Sequence, residues 1–195
     1  MSVSPSEIND KVEQNALDNK SRWIKELLEW GKTITISFLI VMVLHLFVFN
    51  LSTVEGHSME PTLQDKEWLF VNKFAYLVGN PKVGDVVILE DPSDFGGDKD
   101  YLVKRVVGVA GDRIEIYNKE LYRNGEKITE KYTDVEIEDL DFMPVNVQKG
   151  QYFVMGDNRH ARASKDSRIF GTVPRSMIHG RADFILWPFK QASTL

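Results

Sequence analysis

A serine and a lysine, Ser58 and Lys104, are the residues whose types and surroundings could support nucleophilic catalysis. Ser58 lies in GHSMEPTL (56–63), and Lys104 lies among apolar residues in YLVKRVVG (101–108). Because burial disfavours a charged amine, a shielded lysine has a lowered pKa and can be neutral at neutral pH. A neutral amine can take a serine proton and return it to a leaving amine, which an arginine cannot do. Taken alone, each segment is also consistent with a turn serine or a lysine that reaches solvent.

The segment TITISFLIVMVLHLFVFNL, residues 33–51, is predicted to be a transmembrane helix. It contains no Asp, Glu, Lys or Arg, and its length is close to the roughly 20 residues that cross a bilayer. It exceeds the apolar core of a cleaved secretory signal, about 7–15 residues, and no A-x-A pattern follows it. We therefore predict an uncleaved signal anchor, with the buried helix of a soluble domain as the alternative.

Basic residues flank this segment on its N-terminal side: Lys20, Arg22, Lys25 and Lys32, whereas residues 52–65 contain none. Because positive loops stay in the cytoplasm, residues 1–32 are predicted to be a cytoplasmic tail and residues 52–195 an extracytoplasmic catalytic domain at the cell membrane. Residues 1–19 lack a strong apolar period and are predicted to be a mobile tail. Residues 20–32 are predicted to extend the helix or to lie along the membrane surface.

After residue 51 the sequence changes to short extended segments rich in β-branched and aromatic residues, such as EWLFVNKF, GDVVILED and ADFILWPF. Asn124-Gly125 predicts a hairpin turn. The predicted fold class is therefore mainly β, an antiparallel sheet system or partly open barrel after a single transmembrane helix. Residues 129–147, which are acidic and irregular, are predicted to be a peripheral excursion.

Composition excludes several functions. The formal net charge of −5 argues against nucleic acid as the main partner. The absence of cysteine removes disulfides, thiolate metal sites and a cysteine nucleophile. Nothing in the sequence predicts a metal ion or an organic cofactor.

A third polar segment, GDNR (156–159) followed by SKDSR (164–168), reads alone as a turn with a surface ion pair. The combination is more specific. S-M-x-P-T-L just after an apolar anchor, then Y-L-V-K-R-V-V-G-V-A-G-D, then G-D-N-R with S-x-D-S-R, closely resembles bacterial type I signal peptidases. The resemblance extends from the anchor to about Pro188 and includes P-K-V-G-D-V-V-I-L at 81–89.

The resemblance implies a membrane-bound serine endopeptidase that removes signal peptides from exported preproteins with a serine–lysine dyad. Ser58 is then the nucleophile and Lys104 the base. Ser164 is expected to orient the lysine amine through a hydrogen bond, and Asp166 and Arg168 to hold that loop through an ion pair. The turn that brings the loop to the site is formed by three residues: Asp157, Asn158 and Arg159.

The resemblance also implies substrate pockets that favour small side chains at the −1 and −3 positions before the cut. Their expected lining is Met59, Leu63, Leu102 and Val103. Main-chain hydrogen bonds can read the extended end of a signal peptide. The expected partners are therefore exported preproteins and membrane lipid.

Two positions depart from the family pattern. Gly56 stands where some relatives carry a hydroxyl for the oxyanion hole, so the hole is expected to rest mainly on backbone N–H groups, including that of Ser58. Four residues separate Arg159 from Ser164, where two are usual.

Other readings of the same residues are possible. A Ser-His-Asp hydrolase could use His160 near Asp157, or His179, whereas His57 adjoins Ser58 and would point to the opposite face of a strand. A membrane-tethered scaffold could have kept the fold without activity. A self-cleaving repressor shares the serine–lysine pair but needs a DNA-binding segment where this chain has an apolar one.

Overall fold

A long helix, α1 (Pro5–Phe47), forms the first of two units in this computed structural model, which describes residues 5–93 and 100–195 and side chains from residue 22 onward. From Arg22 to Phe47 the helix is long and apolar enough to cross a membrane, and its apolar window is entirely exposed. Apolar side chains without a protein partner are what lipid requires of a spanning helix. The predicted apolar helix is confirmed.

Both ends of α1 differ from the prediction. The helix begins at Pro5, so the polar residues from 5 to 19 are helical, and residues 1–4 lie outside the described residues. Proline is well tolerated at a first helical position, because its missing N–H needs no partner there. The helix ends at Phe47 rather than at 51, because Phe49–Thr53 pairs with a second strand. Apolar character alone cannot separate a helix end from a buried strand start.

The second unit is mainly antiparallel β, which confirms the predicted fold class. Its strands are β1 (Phe49–Thr53), β2 (Trp68–Asn72), β3 (Val86–Glu90), β4 (Tyr101–Gly108), β5 (Arg113–Tyr117), β6 (Glu120–Arg123), β7 (Glu126–Lys127), β8 (Phe142–Asn146), β9 (Gln151–Met155), β10 (Val173–Pro174), β11 (Ile178–Trp187) and β12 (Ser193–Thr194). Two short helices, α2 (Ala75–Val78) and α3 (Ser167–Phe170), and a 3-10 turn (Arg175–Met177) complete the described elements.

The strands form two sheets. The larger has the order β1-β2-β11-β3-β4-β9-β10, with β12 on β11, and the smaller has the order β7-β6-β5-β8. Neither order closes on itself among the described strands, so the fold is a sheet system and not a closed barrel. The predicted Asn124-Gly125 turn joins β6 to β7, and both residues have the positive φ that a tight hairpin turn needs.

Alternation along β4 places consecutive basic residues on opposite sheet faces. Lys104 shares its face with Leu102 and Val106, which pack in an apolar cluster with Val87. Val103 faces the other way, into the cluster that contains the following residues: Val54, Met59, Leu63, Leu69, Val71, Val86, Ile88, Ala182 and Ile185. Strand β4 therefore lies between two apolar layers, and this burial determines the state of its basic side chains.

The predicted peripheral excursion over 129–147 is confirmed for most of its residues, which are exposed or partly exposed, but the segment also contributes to the small sheet and to its core. Residues 142–146 form β8, which pairs with β5, and Ile137 is buried in the core of the small sheet. Glu130 and Tyr132 contact buried arginines. The segment lacks a regular apolar period because part of it packs through polar groups.

Candidate active site

Ser58 and Lys104 come into direct contact in the folded chain. The Nζ of Lys104 lies 2.6 Å from the Oγ of Ser58 and donates a second hydrogen bond, 2.9 Å long, to the carbonyl oxygen of Val103. Lys104 is only 2% exposed, whereas Ser58 is half-buried. A hydroxyl that substrate can reach therefore touches an amine that bulk water cannot.

Burial controls the protonation of Lys104. Desolvation lowers the pKa of the amine from 10.5 to about 8, although the carboxylates of Asp166, Asp157 and Asp91 partly oppose this by favouring the charged form. A lysine with this pKa has a large neutral fraction in mildly alkaline solution. It can then accept a proton from the hydroxyl that it contacts.

The turn that carries Ser58 is held by Asn158. The backbone N–H of Asn158 donates to the carbonyl oxygen of Ser58 at 3.1 Å, and its side-chain amide donates to the carbonyl oxygen of His57 at 2.9 Å. Met59 and Leu63, both fully buried, fasten the same turn to the apolar core. The segment that carries Ser58 is therefore fixed both by hydrogen bonds and by packing.

Asp157 is fully buried and pairs with an arginine that the sequence analysis did not identify. Arg105 donates to its carboxylate from Nε at 2.9 Å and from Nη2 at 2.6 Å, and Thr62 Oγ1 donates at 2.6 Å. Asp157 thus joins β4 to the turn that carries Ser58, beyond the turn-shaping role predicted for it. The available signal was the position of Arg105 inside an apolar strand, where a charge needs a partner.

Asp166 and Arg168 form the expected ion pair. Arg168 donates to Asp166 from Nε at 2.8 Å and from Nη2 at 2.7 Å, and its Nη1 reaches Asp139 at 2.8 Å. The Gly156 N–H donates to Asp166 at 3.1 Å. Burial raises the pKa of the Asp166 carboxyl, but Arg168 more than offsets this, so the pKa lies below its ordinary value. Asp166 is therefore ionised and fastens its loop to the 156–159 turn.

Ser164 does not make the predicted hydrogen bond to Lys104. Its Oγ is buried and has no hydrogen-bond partner within the described residues. The hydroxyl is near enough to Asp166 to help lower the pKa of that carboxyl, but the geometry falls short of a hydrogen bond. A Cβ added to Gly156 would come within 2.3 Å of both Ser164 Oγ and the Ser58 carbonyl oxygen. Ser164 therefore lies beside the nucleophile segment, where only a glycine fits between them.

The four predicted pocket residues are divided between two clusters. Met59 and Leu63 are buried together, with Val103 packed against them. Leu102 packs in the cluster on the other face of β4. The two faces are separated by strand alternation, so the structure brings three of the four residues together.

Histidine is not the partner of Ser58. His57 contacts Glu60 at 2.9 Å, His160 contacts Glu138 at 3.1 Å, and a third histidine, His179, contacts Glu90 at 3.0 Å. The geometry therefore contradicts the Ser-His-Asp alternative. Among residues 5–93 and 100–195, no group of three His, Asp or Glu side chains is placed to hold a metal ion.

Comparisons with known proteins identify the family of this chain. The family model described as "Signal peptidase, peptidase S26" matches residues 27–187. Signal peptidase I P of Bacillus subtilis subsp. natto is 40% identical over 174 residues, which cover 84% of this chain and 90% of that protein. Signal peptidase IB of Staphylococcus aureus is 36% identical over 184 residues, which cover 86% of this chain and 93% of that protein. A crystal structure of a signal peptidase I from Enterococcus faecalis is 28% identical in sequence and has a TM-score of 0.45. The match covers 53% of this chain and 97% of that chain.

The family model and the curated relatives define a serine-type peptidase, and the apolar helix α1 supports a membrane anchor. The chain belongs to the signal peptidase family, peptidase S26, and cleaves signal peptides. The predicted family and enzyme class are confirmed. The scaffold and repressor alternatives are thereby set aside.

Proposed function

We propose that Ser58 is the nucleophile and Lys104 the general base of this signal peptidase. The observation that carries the proposal is the 2.6 Å contact between Ser58 Oγ and the buried Lys104 Nζ. The neutral amine removes the hydroxyl proton as Oγ attacks the scissile carbonyl carbon. The resulting ammonium then protonates the leaving amine, which departs as the mature protein and leaves an ester on Ser58. Lys104 next deprotonates the water that hydrolyses this ester.

The negative charge on the carbonyl oxygen needs hydrogen-bond donors fixed in advance. We assign the backbone N–H of Ser58 to this role, because the Asn158 side-chain amide donates to the carbonyl oxygen of His57, which belongs to the same peptide group as that N–H. The Gly56 N–H is already used, since it donates to Asp65 Oδ1 at 2.8 Å. Preorganised donors of this kind stabilise the transition state more than the ground state.

The substrates are exported preproteins with small residues at −1 and −3. Apolar side chains adjoin both dyad residues, Met59 next to Ser58 and Val103 next to Lys104, and both pack in one cluster with Leu63. Val103 is partly exposed, whereas Met59 and Leu63 are buried behind it, so we propose a shallow apolar pocket that accepts only small uncharged side chains such as alanine. Leu102 faces the other cluster, so we do not place it in the same pocket.

The direct test uses the full chain in detergent with a preprotein that ends its signal in A-x-A. Cleavage after the second alanine, identified by mass spectrometry, is expected. Replacing both alanines with lysine should abolish cleavage at that bond. Equal cleavage of the two preproteins would contradict the proposed specificity.

The basic residues before the apolar segment support a cell-membrane topology with residues 1–32 cytoplasmic and the β unit outside. Since the chain has no cysteine, single cysteines can report it. Arg22→Cys and Lys149→Cys both fall at exposed positions. A membrane-impermeant maleimide applied to intact cells is expected to label the second variant and not the first. The reverse pattern would overturn the topology.

An aromatic surface on β1, β2 and β11 supports lipid contact by the β unit. Phe70 pairs across the sheet with Leu51 and Phe184, and Trp68 pairs with Trp187. Trp187 and Phe189 form an edge-to-face pair with ring centroids 4.9 Å apart, and Phe189 is 78% exposed. Large exposed patches of this kind mark binding surfaces, and tryptophan is suited to the membrane interface.

We expect Trp187→Ser combined with Phe189→Ser to slow cleavage of a preprotein embedded in vesicles, and not of a short soluble peptide. The matched control replaces two apolar residues that are exposed elsewhere, Leu140 and Met143, with serine. The control should leave both rates unchanged. Equal slowing of peptide and preprotein would contradict the lipid-contact role.

A further inference from the structure

A buried acid that does not touch the dyad, Glu130, forms a two-pronged ion pair with Arg159. Arg159 Nη1 and Nη2 donate to the two carboxylate oxygens at 2.5 and 2.6 Å, and the side chains are only 8% and 1% exposed. Arg159 Nε donates to the Gly156 carbonyl oxygen at 2.7 Å. A bidentate pair of this type fixes orientation as well as distance. Glu130 therefore fixes the turn 156–159 through its arginine.

Glu130 also reaches the other buried arginine of the site. It accepts a hydrogen bond from the Tyr132 hydroxyl at 2.6 Å. The Tyr132 ring stacks on the Arg105 guanidinium, whose Cζ lies 4.1 Å from the ring centroid. Arg105 in turn holds Asp157. Because Asp157 and Arg159 belong to the same turn, Glu130 is linked to that turn by two routes, one through Arg159 and one through Tyr132 and Arg105.

These contacts hold the turn 156–159, and that turn holds the segment that carries Ser58. Asn158 binds the carbonyl oxygens of Ser58 and His57, and Asp157 binds Thr62 at the far end of the nucleophile segment. A shift of the turn would therefore move Ser58 Oγ relative to Lys104 Nζ. The contacts described for Glu130 are with Arg159 and Tyr132, and neither is a dyad residue.

We propose that Glu130 is a positioning residue for catalysis, which aligns Ser58 with Lys104 by holding the 156–159 turn through Arg159 and Tyr132. This inference rests on the proposed dyad. It assigns the segment after β7, which the sequence presented as peripheral, a direct part in the geometry of the site.

The test compares Glu130→Gln with Glu136→Gln, which makes the same charge change at an exposed position of the same segment. Because a misplacement of about 1 Å can cost about 100-fold in rate, we expect Glu130→Gln to lower kcat by about that factor with KM nearly unchanged. The control should keep the wild-type kcat. A Glu130→Gln protein that melts earlier but retains kcat within about twofold well below its Tm would show a purely structural pair and overturn the proposal.

A further variant keeps the test decisive if Glu130→Gln does not fold, and a double variant extends the test if it does. Tyr132→Phe keeps the ring over Arg105 and removes only the hydroxyl, and we expect kcat to fall about fivefold, the effect of one hydrogen bond. An unchanged kcat in Tyr132→Phe would overturn the proposal. Where both single variants fold, adding Glu130→Gln to Arg159→Gln should cost no further activity, because both act through one contact.

Failure of this inference is distinguishable from failure of the dyad. If Lys104→Arg remains active, the dyad assignment is wrong whatever Glu130→Gln does. If Lys104→Arg is inactive while Glu130→Gln has wild-type kcat, only the positioning role of Glu130 is wrong.

Discussion

Two adjacent basic residues of β4, Lys104 and Arg105, are both buried, but only the second is paired with a carboxylate. Lys104 lies on one face among apolar side chains, and its hydrogen bonds go to a hydroxyl and a carbonyl. Arg105 lies on the other face and makes a bidentate pair with the fully buried carboxylate of Asp157. Burial without a hydrogen-bonded carboxylate favours the neutral form, whereas burial with one preserves the charge. The first arrangement suits proton transfer and the second suits a structural clamp.

The largest expected effect comes from removing the titratable amine. Lys104→Arg keeps a long basic side chain but stays protonated, so we expect kcat/KM for preprotein cleavage to fall by about 10⁴-fold or more. His160→Ala is the matched control for the histidine alternative and should remain active. An active Lys104→Arg protein together with an inactive His160→Ala protein would reverse the assignment.

The two faces of β4 should also respond with opposite signs in stability. Asp157→Asn leaves Arg105 buried without its carboxylate, and we expect the free energy of unfolding to fall by about 3–5 kcal/mol. Lys104→Met removes a charge whose burial is unfavourable, and we expect a gain of about 1–3 kcal/mol at pH 7. Urea unfolding measures both changes. Destabilisation by both substitutions would contradict the comparison.

The pH dependence of stability sharpens the same point. The pKa of Lys104 is about 8 in the folded chain and 10.5 as its ordinary value, so between these values the unfolded chain binds more protons. The free energy of unfolding contributed by this group therefore rises as the pH increases from about 8 to about 10.5. Below about pH 8 both states are protonated, and the full cost of burial applies. Lys104→Met should lose this rise, which urea unfolding at several pH values would detect.

The smallest effect is expected at Ser164. Because its hydroxyl has no hydrogen-bond partner within the described residues, Ser164→Ala should lower kcat/KM by about fivefold or less, the effect of at most one hydrogen bond. Kinetics with a soluble peptide would measure this change. A decrease in kcat/KM of several hundredfold would contradict this geometry and would favour the predicted hydrogen bond between Ser164 and Lys104.

The sequence predicts the two residues of the dyad better than the polar network that holds them in place. Ser58 and Lys104 lie in specific motifs, and the alternation of β4 indicates burial of the lysine. Glu130 and Tyr132 could not be assigned, because a buried polar network depends on contacts between distant segments and leaves no periodic pattern. The position of Arg105 inside an apolar strand indicates that it needs a partner, but it does not identify Asp157 as that partner.

The same limit applies to the ends of elements and to single hydrogen bonds. Residues 49–51, Phe-Asn-Leu, suit the end of a membrane helix as well as a strand, and only the pairing with β2 decides between them. The bond predicted for Ser164 depends on the exact path of the longer loop after Arg159, where Arg162 has a positive φ. Spacing in sequence does not specify such a path.

The pH dependence of kcat/KM tests the central claim most directly, because it reports the pKa of the essential base in the free enzyme. With a short soluble peptide as substrate, we expect activity to rise with pH along a limb whose apparent pKa is about 8, the value that burial gives Lys104. The limb should keep its position in His160→Ala. A limb near the ordinary pKa of histidine, about 6.5, that disappears in His160→Ala would contradict a lysine base.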